Sequence, residues 1–174
     1  MLAENHHETP FEKSSIHFLV TTDIATHIHI IKHRISVSVN GESARYKELK
    51  DDKFYVPTDW PESEIALYTQ HLEQSLRLYH GAMERLVAGG MTRTRAKESA
   101  RFYLPYGNQI QADVMFNFRS FYNFLSLRYS THAQKEVRDL AFGMLKAVDG
   151  TGDFEQSLRA FKLKTDEGLC KPFA

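Results

Sequence analysis

The sequence predicts an α+β fold, with a small mixed sheet packed by several helices. Ile16, Phe18 and Val20 alternate with Ser15, His17 and Leu19, the period of a half-buried β-strand. Several longer segments instead space their apolar residues three and four apart, as along one face of an α-helix. The length of 174 residues suits one domain with a sizeable core. Residues 1–174 are therefore predicted to form a single domain.

The first half of the chain predicts one strand and two helices. The sheet is expected to start within residues 11–20, and Thr22 or Asp23 can cap the helix that follows. The longest predicted helix starts at Pro61, because proline is tolerated in a first turn, and ends at Gly89-Gly90. Apolar residues at helical spacing define one face of each helix: Ile24, Ile28, Ile31 and Ile35 in the first, and Ile65, Tyr68, Leu72, Leu76, Tyr79, Met83 and Leu86 in the second.

The second half predicts helices only. A short helix from Thr92 ends before Pro105, since proline disfavours helix in the residue ahead of it. Thr131 and Gln134 suggest a capping box for a later helix, and residues 153–161 form a short last one. The apolar face of the later helix comprises Val137, Leu140, Ala141, Met144 and Val148.

Between these segments, residues 111–127 predict a helix that is apolar nearly all round and therefore buried. Two Asn and two Arg lie in this segment or directly after it, and buried Asn and Arg require partners. They are Asn117, Arg119, Asn123 and Arg128. A core helix with hydrogen-bonded exceptions, or an oligomer interface, would explain some of them, but two Arg and two Asn favour a binding site.

Composition narrows the function classes. Lys plus Arg and Asp plus Glu both number 22, which argues against a dedicated nucleic-acid-binding protein. Cys170 is the single cysteine, so neither an intrachain disulfide nor a thiolate zinc site is expected. No apolar run has membrane-spanning length and no signal-peptide core is present, so we expect a cytoplasmic setting without membrane attachment.

The stretch from Lys32 to Tyr46 is the strongest candidate for ligand binding. It opens with Lys32-His33-Arg34 and closes with Ser43, Ala44, Arg45 and Tyr46. Arg supplies the charge-assisted donors that hold a phosphate, so we interpret this stretch as an anion-binding loop. The alternative is a solvated helix end whose cations complement the helix dipole.

Two other kinds of site are less well supported. His29 and His33, four residues apart on a predicted helix, suit two zinc ligands, but no third ligand is specified by spacing, and no metal is predicted. Cys170 has only Lys171 as a basic neighbour, and Ser43 suits ligand binding better than nucleophilic attack. The remaining Arg and Asn side chains favour two or more flat, anionic ligands, with a cofactor supplying the chemistry.

Five motifs in order along most of the chain resemble those of the flavin-dependent thymidylate synthases of the ThyX type. Any one of these motifs alone would be weak evidence, but the probability that five match in the same order by chance is very small. They are His7-Glu8-Thr9-Pro10-Phe11-Glu12; Lys32-His33-Arg34 with Ser43-Ala44-Arg45-Tyr46; Ala100-Arg101-Phe102-Tyr103-Leu104-Pro105; Asn117 through Arg128; and His132-Ala133-Gln134-Lys135-Glu136.

The resemblance implies a ThyX-like fold, a homotetramer with sites shared between subunits, and conversion of dUMP to dTMP. It implies FAD as cofactor, NADPH as reductant and methylenetetrahydrofolate as the one-carbon donor. Arg128 is implied as the catalytic residue beside the uracil ring, where a cation would favour the ionised imide. The implied FAD contacts are Thr9, Lys32, His33, Arg34, Glu42, Asn117, Arg119 and Asn123. The implied nucleotide contacts are His29, Ser43, Ala44, Arg45, Arg101 and Arg128.

The chain departs from the family pattern in a few places. Lys32 replaces the usual first Arg, which keeps the charge but loses the bidentate fork. The loop to Ser43 is one residue longer than usual, which displaces Glu42 by one, and His29 stands where many members have Gln or Glu. The usual N-terminal strand and helix are expected to be missing. These departures keep two rivals open: a pyrimidine nucleotide hydroxymethylase on the same scaffold, and a non-catalytic nucleotide- or flavin-binding homologue.

Overall fold

The computed structural model describes residues 2–43 and 53–174. Within these ranges it contains six α-helices, five strands and two short 3-10 helices at Thr9–Lys13 and Arg101–Tyr103. The helices are α1 (Ile24–Ile31), α2 (Glu62–Ala88), α3 (Arg93–Ala100), α4 (Phe118–Arg128), α5 (Lys135–Thr151) and α6 (Glu155–Ala160). The strands are β1 (Ile16–Asp23), β2 (Val37–Gly41), β3 (Gln109–Phe116), β4 (Lys164–Thr165) and β5 (Gly168–Leu169). The α+β class with a small sheet is thereby confirmed.

Three of the strands form one sheet in the order β1-β3-β2, and β4 and β5 form a separate antiparallel hairpin. Contacts divide the chain into two compact units. The first comprises Met1–Leu19, His29–Val39 and Asp113–Ala174, and the second comprises Val20–Ile28 and Asn40–Ala112. The single-domain organisation of residues 1–174 stays a prediction.

The second unit is built on the long helix α2. Its buried face includes Leu72, Leu76, Tyr79 and Met83, four of the residues that helical spacing predicts. Helix α3 packs against it, with Ala100 in the same cluster as Tyr79 and Met83. Small side chains on α3 allow this close approach. The prediction of a helix ending at Gly89-Gly90 is confirmed.

The first unit has an aromatic core around α4. Phe116, Phe118, Phe121 and Phe124 are each at most 1% exposed, and their rings meet in tilted and edge-on pairs. Aromatic pairs of this kind add to the stabilisation that comes from burial alone. Helix α5 covers the same core with its predicted apolar face, which includes Val137, Ala141, Met144 and Val148.

The predicted helix at 111–127 is wrong in its first third. Gln109–Phe116 is strand β3, in which Ala112, Val114 and Phe116 are buried while Asp113 between them is exposed. Burial at every second residue is the pattern of a strand. The helix starts at Phe118, and Asn117 caps it. The side-chain Oδ1 of Asn117 accepts from the backbone amide of Ser120 (2.8 Å), and the backbone amide of Asn117 donates to Ser120 Oγ (3.1 Å). This reciprocal pair is a capping box.

Two other local predictions are also corrected. No side-chain cap from Gln134 or Thr131 starts α5. Helix α1 ends at Ile31, so the predicted stripe through Ile35 does not form. Ile30 is buried, whereas Ile31 and Ile35 are 45% and 88% exposed. The predicted cap by Asp23 is confirmed, since its Oδ1 accepts from the Thr26 amide at 2.8 Å.

Candidate functional site

The candidate site lies in the first unit, where α4 faces the segment between α1 and β2. Two neighbouring grooves, each of about 320 Å³, run along this face and share Ile35, Ser120 and Asn123. The first groove is lined by Glu8, Glu12, Ile35, Ser36, Asn117, Arg119, Ser120, Tyr122, Asn123 and Ser126. The second is lined by Lys32, His33, Arg34, Ile35, Val37, Ser120, Asn123, Leu127 and Arg128.

Ser36 and Ser120 connect the loop to the helix at the wall of the first groove. Ser36 has a backbone φ of 54°, in the left-handed region that non-glycine residues rarely adopt. The Ser120 hydroxyl donates to the Ser36 carbonyl at 2.9 Å. Strained backbone of this kind persists where surrounding contacts hold it, and such positions cluster at functional sites.

The second groove is cationic. Lys32, Arg34 and Arg128 line it, and no carboxylate is among its lining residues. Arg128, the last residue of α4, donates from Nε to Nε2 of His33 at 3.0 Å. Because Nε2 accepts this bond, the imidazole proton lies on Nδ1.

His33 is neutral at physiological pH. Burial, with smaller contributions from the nearby Arg128 charge and His29, lowers the pKa of His33 from its ordinary value of 6.5 to about 4. The ring packs edge-on against Phe124, with centroids 5.1 Å apart, which accounts for part of its burial. Burial also lowers the pKa of Arg128, but a guanidinium keeps its charge in proteins. A neutral acceptor therefore orients a fixed cation at the edge of this groove.

The first groove has a different charge pattern. Arg119 Nε lies 2.6 Å from Glu8 Oε2, and its Nη1 donates to Glu12 Oε1. These carboxylates raise the pKa of Arg119, with the hydrogen bond to Glu12 contributing most. Counting one cation against two carboxylates, the lining residues of this groove carry a net charge of about −1, whereas those of the second carry about +3.

The structure brings together six of the residues that the family resemblance implies for cofactor binding, together with the residue that it implies as catalytic. They are Lys32, His33, Arg34, Asn117, Arg119 and Asn123 for the cofactor and Arg128 for catalysis. Thr9 and His29 belong to the same unit but line neither groove. The functional roles of all these residues remain predictions.

The other predicted site residues are placed differently. Glu42, Ser43 and Arg101 belong to the second unit, and Ala44 and Arg45 lie outside the described residues. Glu42 extends β2, where its amide donates to the Gln111 carbonyl at 2.8 Å. Arg101 is exposed, with its guanidinium carbon 5.9 Å from the centre of the Phe102 ring.

The two predicted helical histidines do not share a helix. Helix α1 ends at Ile31, so His33 lies beyond it and His29 in its last turn. Across the described part of the chain, no three His, Cys, Asp or Glu side chains converge in a way that could hold a metal ion. In the same ranges, no helix has both the length and the apolar character needed to span a bilayer.

Sequence reasoning missed Glu8 and Glu12 as site residues. Both lie in the first motif, four residues apart, and both line the first groove. The signal that could have identified them is the need of Arg119 for a counter-charge, because an Arg set into an aromatic helix requires partners. Their distance of more than a hundred residues from Arg119 in sequence made the pairing impossible to assign without the fold.

Comparisons with known proteins agree with the resemblance that the five motifs carry. The family model described as thymidylate synthase complementing protein (Thy1) matches residues 1–151. A flavin-dependent thymidylate synthase of Thermosipho melanesiensis is 36% identical over 160 residues, covering 83% of this chain and 67% of the relative. One of Thermosipho africanus is 32% identical over 162 residues, covering 82% and 67%. The chain therefore spans about two thirds of these relatives.

A solved structure is also similar. A UMP/dUMP methylase, PolB from Streptomyces cacaoi bound with 5-Br UMP, superposes with a TM-score of 0.72 at 28% identity, over 92% of this chain and 80% of that one. The family match covers most of the chain, and the resemblance carried by the five motifs is thereby confirmed. This chain belongs to the Thy1 family, the thymidylate synthase complementing proteins.

Proposed function

We propose that this chain is a flavin-dependent thymidylate synthase that methylates dUMP to dTMP. Membership of the Thy1 family and the names of its relatives support this reaction. The single observation that carries the proposal is the cationic second groove, in which Arg128 is oriented by neutral His33 at 3.0 Å beside Lys32 and Arg34. Three fixed cations in one groove suit a ligand with several negative charges.

The donor set of the two grooves fits a flavin nucleotide. Such a molecule combines a charged pyrophosphate with neutral carbonyl, amide and hydroxyl groups, and the grooves offer cations in one part and Asn and Ser side chains in the other. We assign its binding to Lys32, His33, Arg34, Asn117, Arg119 and Asn123, with Thr9 and Glu42 completing the set. When bound, the reduced flavin would supply the hydride for the reaction.

Arg128 is proposed to hold the pyrimidine. A guanidinium next to an acidic imide lowers the free energy of its ionised form, which makes the ring carbon more nucleophilic. His33 limits the orientations of this guanidinium by accepting from Nε, which leaves the Nη groups of Arg128 outside that bond. His29, Ser43, Ala44, Arg45 and Arg101 are proposed to bind the remainder of the nucleotide.

The further requirements follow from the resemblance and are proposals too. They are NADPH as the reductant, methylenetetrahydrofolate as the one-carbon donor, and a homotetramer in which neighbouring subunits complete each site.

The test begins with the visible absorption spectrum of the purified protein, before and after anaerobic NADPH in the presence of dUMP. We expect a flavin spectrum that bleaches, followed by dTMP on addition of methylenetetrahydrofolate. The mass of the product separates a methyl from a hydroxymethyl group, and so tests the hydroxymethylase alternative. A colourless protein that FAD does not reconstitute would refute the proposal and favour the non-catalytic alternative.

A second candidate substrate is UMP. The similar solved protein is described as a UMP/dUMP methylase and was crystallised with 5-Br UMP. Equal amounts of UMP and dUMP in one assay would separate the two candidates, since each methylated product has its own mass. Methylation of UMP at a rate equal to or above that of dUMP would make the ribonucleotide the preferred substrate.

A further inference from the structure

The first groove contains a three-membered charge cluster, which we call the Arg119 clamp: Arg119 with Glu8 and Glu12. Glu8 Oε2 forms an ion pair with Nε of Arg119 at 2.6 Å, and Glu12 accepts a hydrogen bond from Nη1. The Arg119 side chain is 50% exposed, and those of Glu8 and Glu12 are 28% and 37% exposed. The clamp therefore lies at the mouth of the groove and not in the core.

The segment that carries the two carboxylates is itself fixed to α4. Glu8 precedes the 3-10 helix Thr9–Lys13 and Glu12 lies within it. Phe11, between them, packs against Phe118 at 6.3 Å and against Phe161 at 4.7 Å between ring centroids. Ser14 Oγ accepts from the Phe118 amide at 2.8 Å. Arg119 is therefore held by groups attached to a docked segment, which limits the positions it can sample.

This arrangement engages two of the five N–H donors of Arg119. Nε and Nη1 are engaged by carboxylates, and Nη2 has no partner among the described residues. A guanidinium grips phosphate best with two parallel N–H donors, and the edge formed by Nε and Nη2 cannot do so because the single hydrogen of Nε faces Glu8. Two carboxylates beside the same site also repel an anion.

We infer that Glu8 and Glu12 are positioning residues that hold Arg119 across the first groove. Held in this way, Arg119 donates a hydrogen bond to an uncharged acceptor atom of the ligand and not to its phosphates. This inference rests on the proposed function only in taking FAD as that ligand. Arg119 then donates from Nη2 to a carbonyl oxygen or ring nitrogen, and the phosphates are directed to Lys32 and Arg34 in the second groove.

Two probes of different chemistry test the inference on the double variant Glu8→Gln/Glu12→Gln. The first probe is inorganic pyrophosphate, titrated calorimetrically into flavin-free protein at low ionic strength. We expect its affinity to rise about five- to twentyfold, because two repelling charges are gone and the whole fork of Arg119 is released. Adding Arg119→Ala to the double variant should remove this gain.

The second probe is FAD, titrated by quenching of flavin fluorescence. FAD is itself an anion, so removal of two carboxylates would by charge alone strengthen its binding. If the clamp positions Arg119, the double variant should instead bind FAD about three- to tenfold more weakly, because a mobile Arg must be ordered on binding. Opposite changes for the two probes are the signature of positioning.

Arg159 offers a matched control. Its Nε lies 2.7 Å from Glu155 and its Nη1 lies 2.8 Å from Asp166, but none of the three lines either groove. Glu155→Gln/Asp166→Asn changes the net charge by the same amount and should leave both affinities within about twofold of the unmodified protein, since screening weakens distant charges.

The possible results of the pyrophosphate and FAD titrations can be told apart. Unchanged pyrophosphate affinity in the Glu8/Glu12 variant, or a gain equal to that of the Glu155/Asp166 variant, would overturn the inference. Stronger binding of both pyrophosphate and FAD would reduce the clamp to a simple charge effect and overturn the positioning role. Failure of the unmodified protein to bind FAD would refute the proposed function, while the pyrophosphate titration would still decide whether the clamp withholds Arg119 from phosphate.

Discussion

The pairing of His33 with Arg128 predicts a specific pH dependence of stability. His33→Gln removes the titrating ring but keeps a carbonyl oxygen that can accept from Arg128 Nε. In the folded protein the pKa of His33 is lowered from 6.5 to about 4, chiefly by burial. Between these two values the unfolded chain binds more protons at this position than the folded chain, so acid favours unfolding.

The sign and size of the change in unfolding free energy follow from these two pKa values. The contribution of neutral His33 to stability is fully present above about pH 6.5, decreases as the pH falls toward 4, and changes no further below that value. The full difference between the two pKa values corresponds to about 3.4 kcal/mol of unfolding free energy, at about 1.36 kcal/mol per pKa unit. Since His33 is only half-buried, solvent screening reduces this to about 1.5 kcal/mol, of which about 1 kcal/mol is lost between pH 7 and 5.

The assay is urea denaturation of the unmodified chain and of His33→Gln at about pH 7 and about pH 5, with unfolding free energies from linear extrapolation. We expect the variant to lose about 1 kcal/mol less on acidification than the unmodified chain. His132→Gln, which alters an exposed histidine outside both grooves, serves as the matched control and should retain the full loss. Equal losses in all three proteins would refute the account of His33 as a buried neutral acceptor.

Three further predictions concern catalysis and folding. Arg128→Ala should lower turnover by at least about a hundredfold, because the lost cation acts on developing charge, and should retain FAD binding by fluorescence; unchanged turnover would contradict its role. Arg101→Ala should raise the apparent binding constant for dUMP about tenfold with little change in kcat, since a phosphate contact is largely uniform binding. A large fall in kcat with normal nucleotide binding would contradict that assignment. Asn117→Ala should cost about 1 kcal/mol of unfolding free energy in urea, because the α4 capping box is lost, whereas Asn123→Ala, exposed on the same helix, should cost much less.

Local patterns predicted the elements whose burial is regular. Strand β1 and helix α2 each place apolar side chains at the period of their own backbone, so the sequence was sufficient to identify both. Prediction failed where two elements of different period adjoin. Phe116, Asn117 and Phe118 run from strand β3 directly into helix α4, and the aromatic residues on both sides hide the boundary.

The helix prediction for the segment after α1 failed for another reason. Ile31 and Ile35 continue the helical spacing, but the chain leaves the helix at Ile31, and Val37–Gly41 pairs beside β3. A sheet partner from a distant part of the sequence decides this exit. Helical spacing describes only local neighbours, so it cannot include that partner.

The sequence by itself determined the family and most of the groove-lining cations and amides, because motif order and residue chemistry are properties of the chain alone. Only the tertiary structure decided how these side chains are paired. His33 faces Arg128 across 95 positions, and Glu8 and Glu12 reach Arg119 across more than a hundred. Burial and charge pairing depend on distance in space, so the neutral state of His33 and the clamp on Arg119 arise only once the chain has folded.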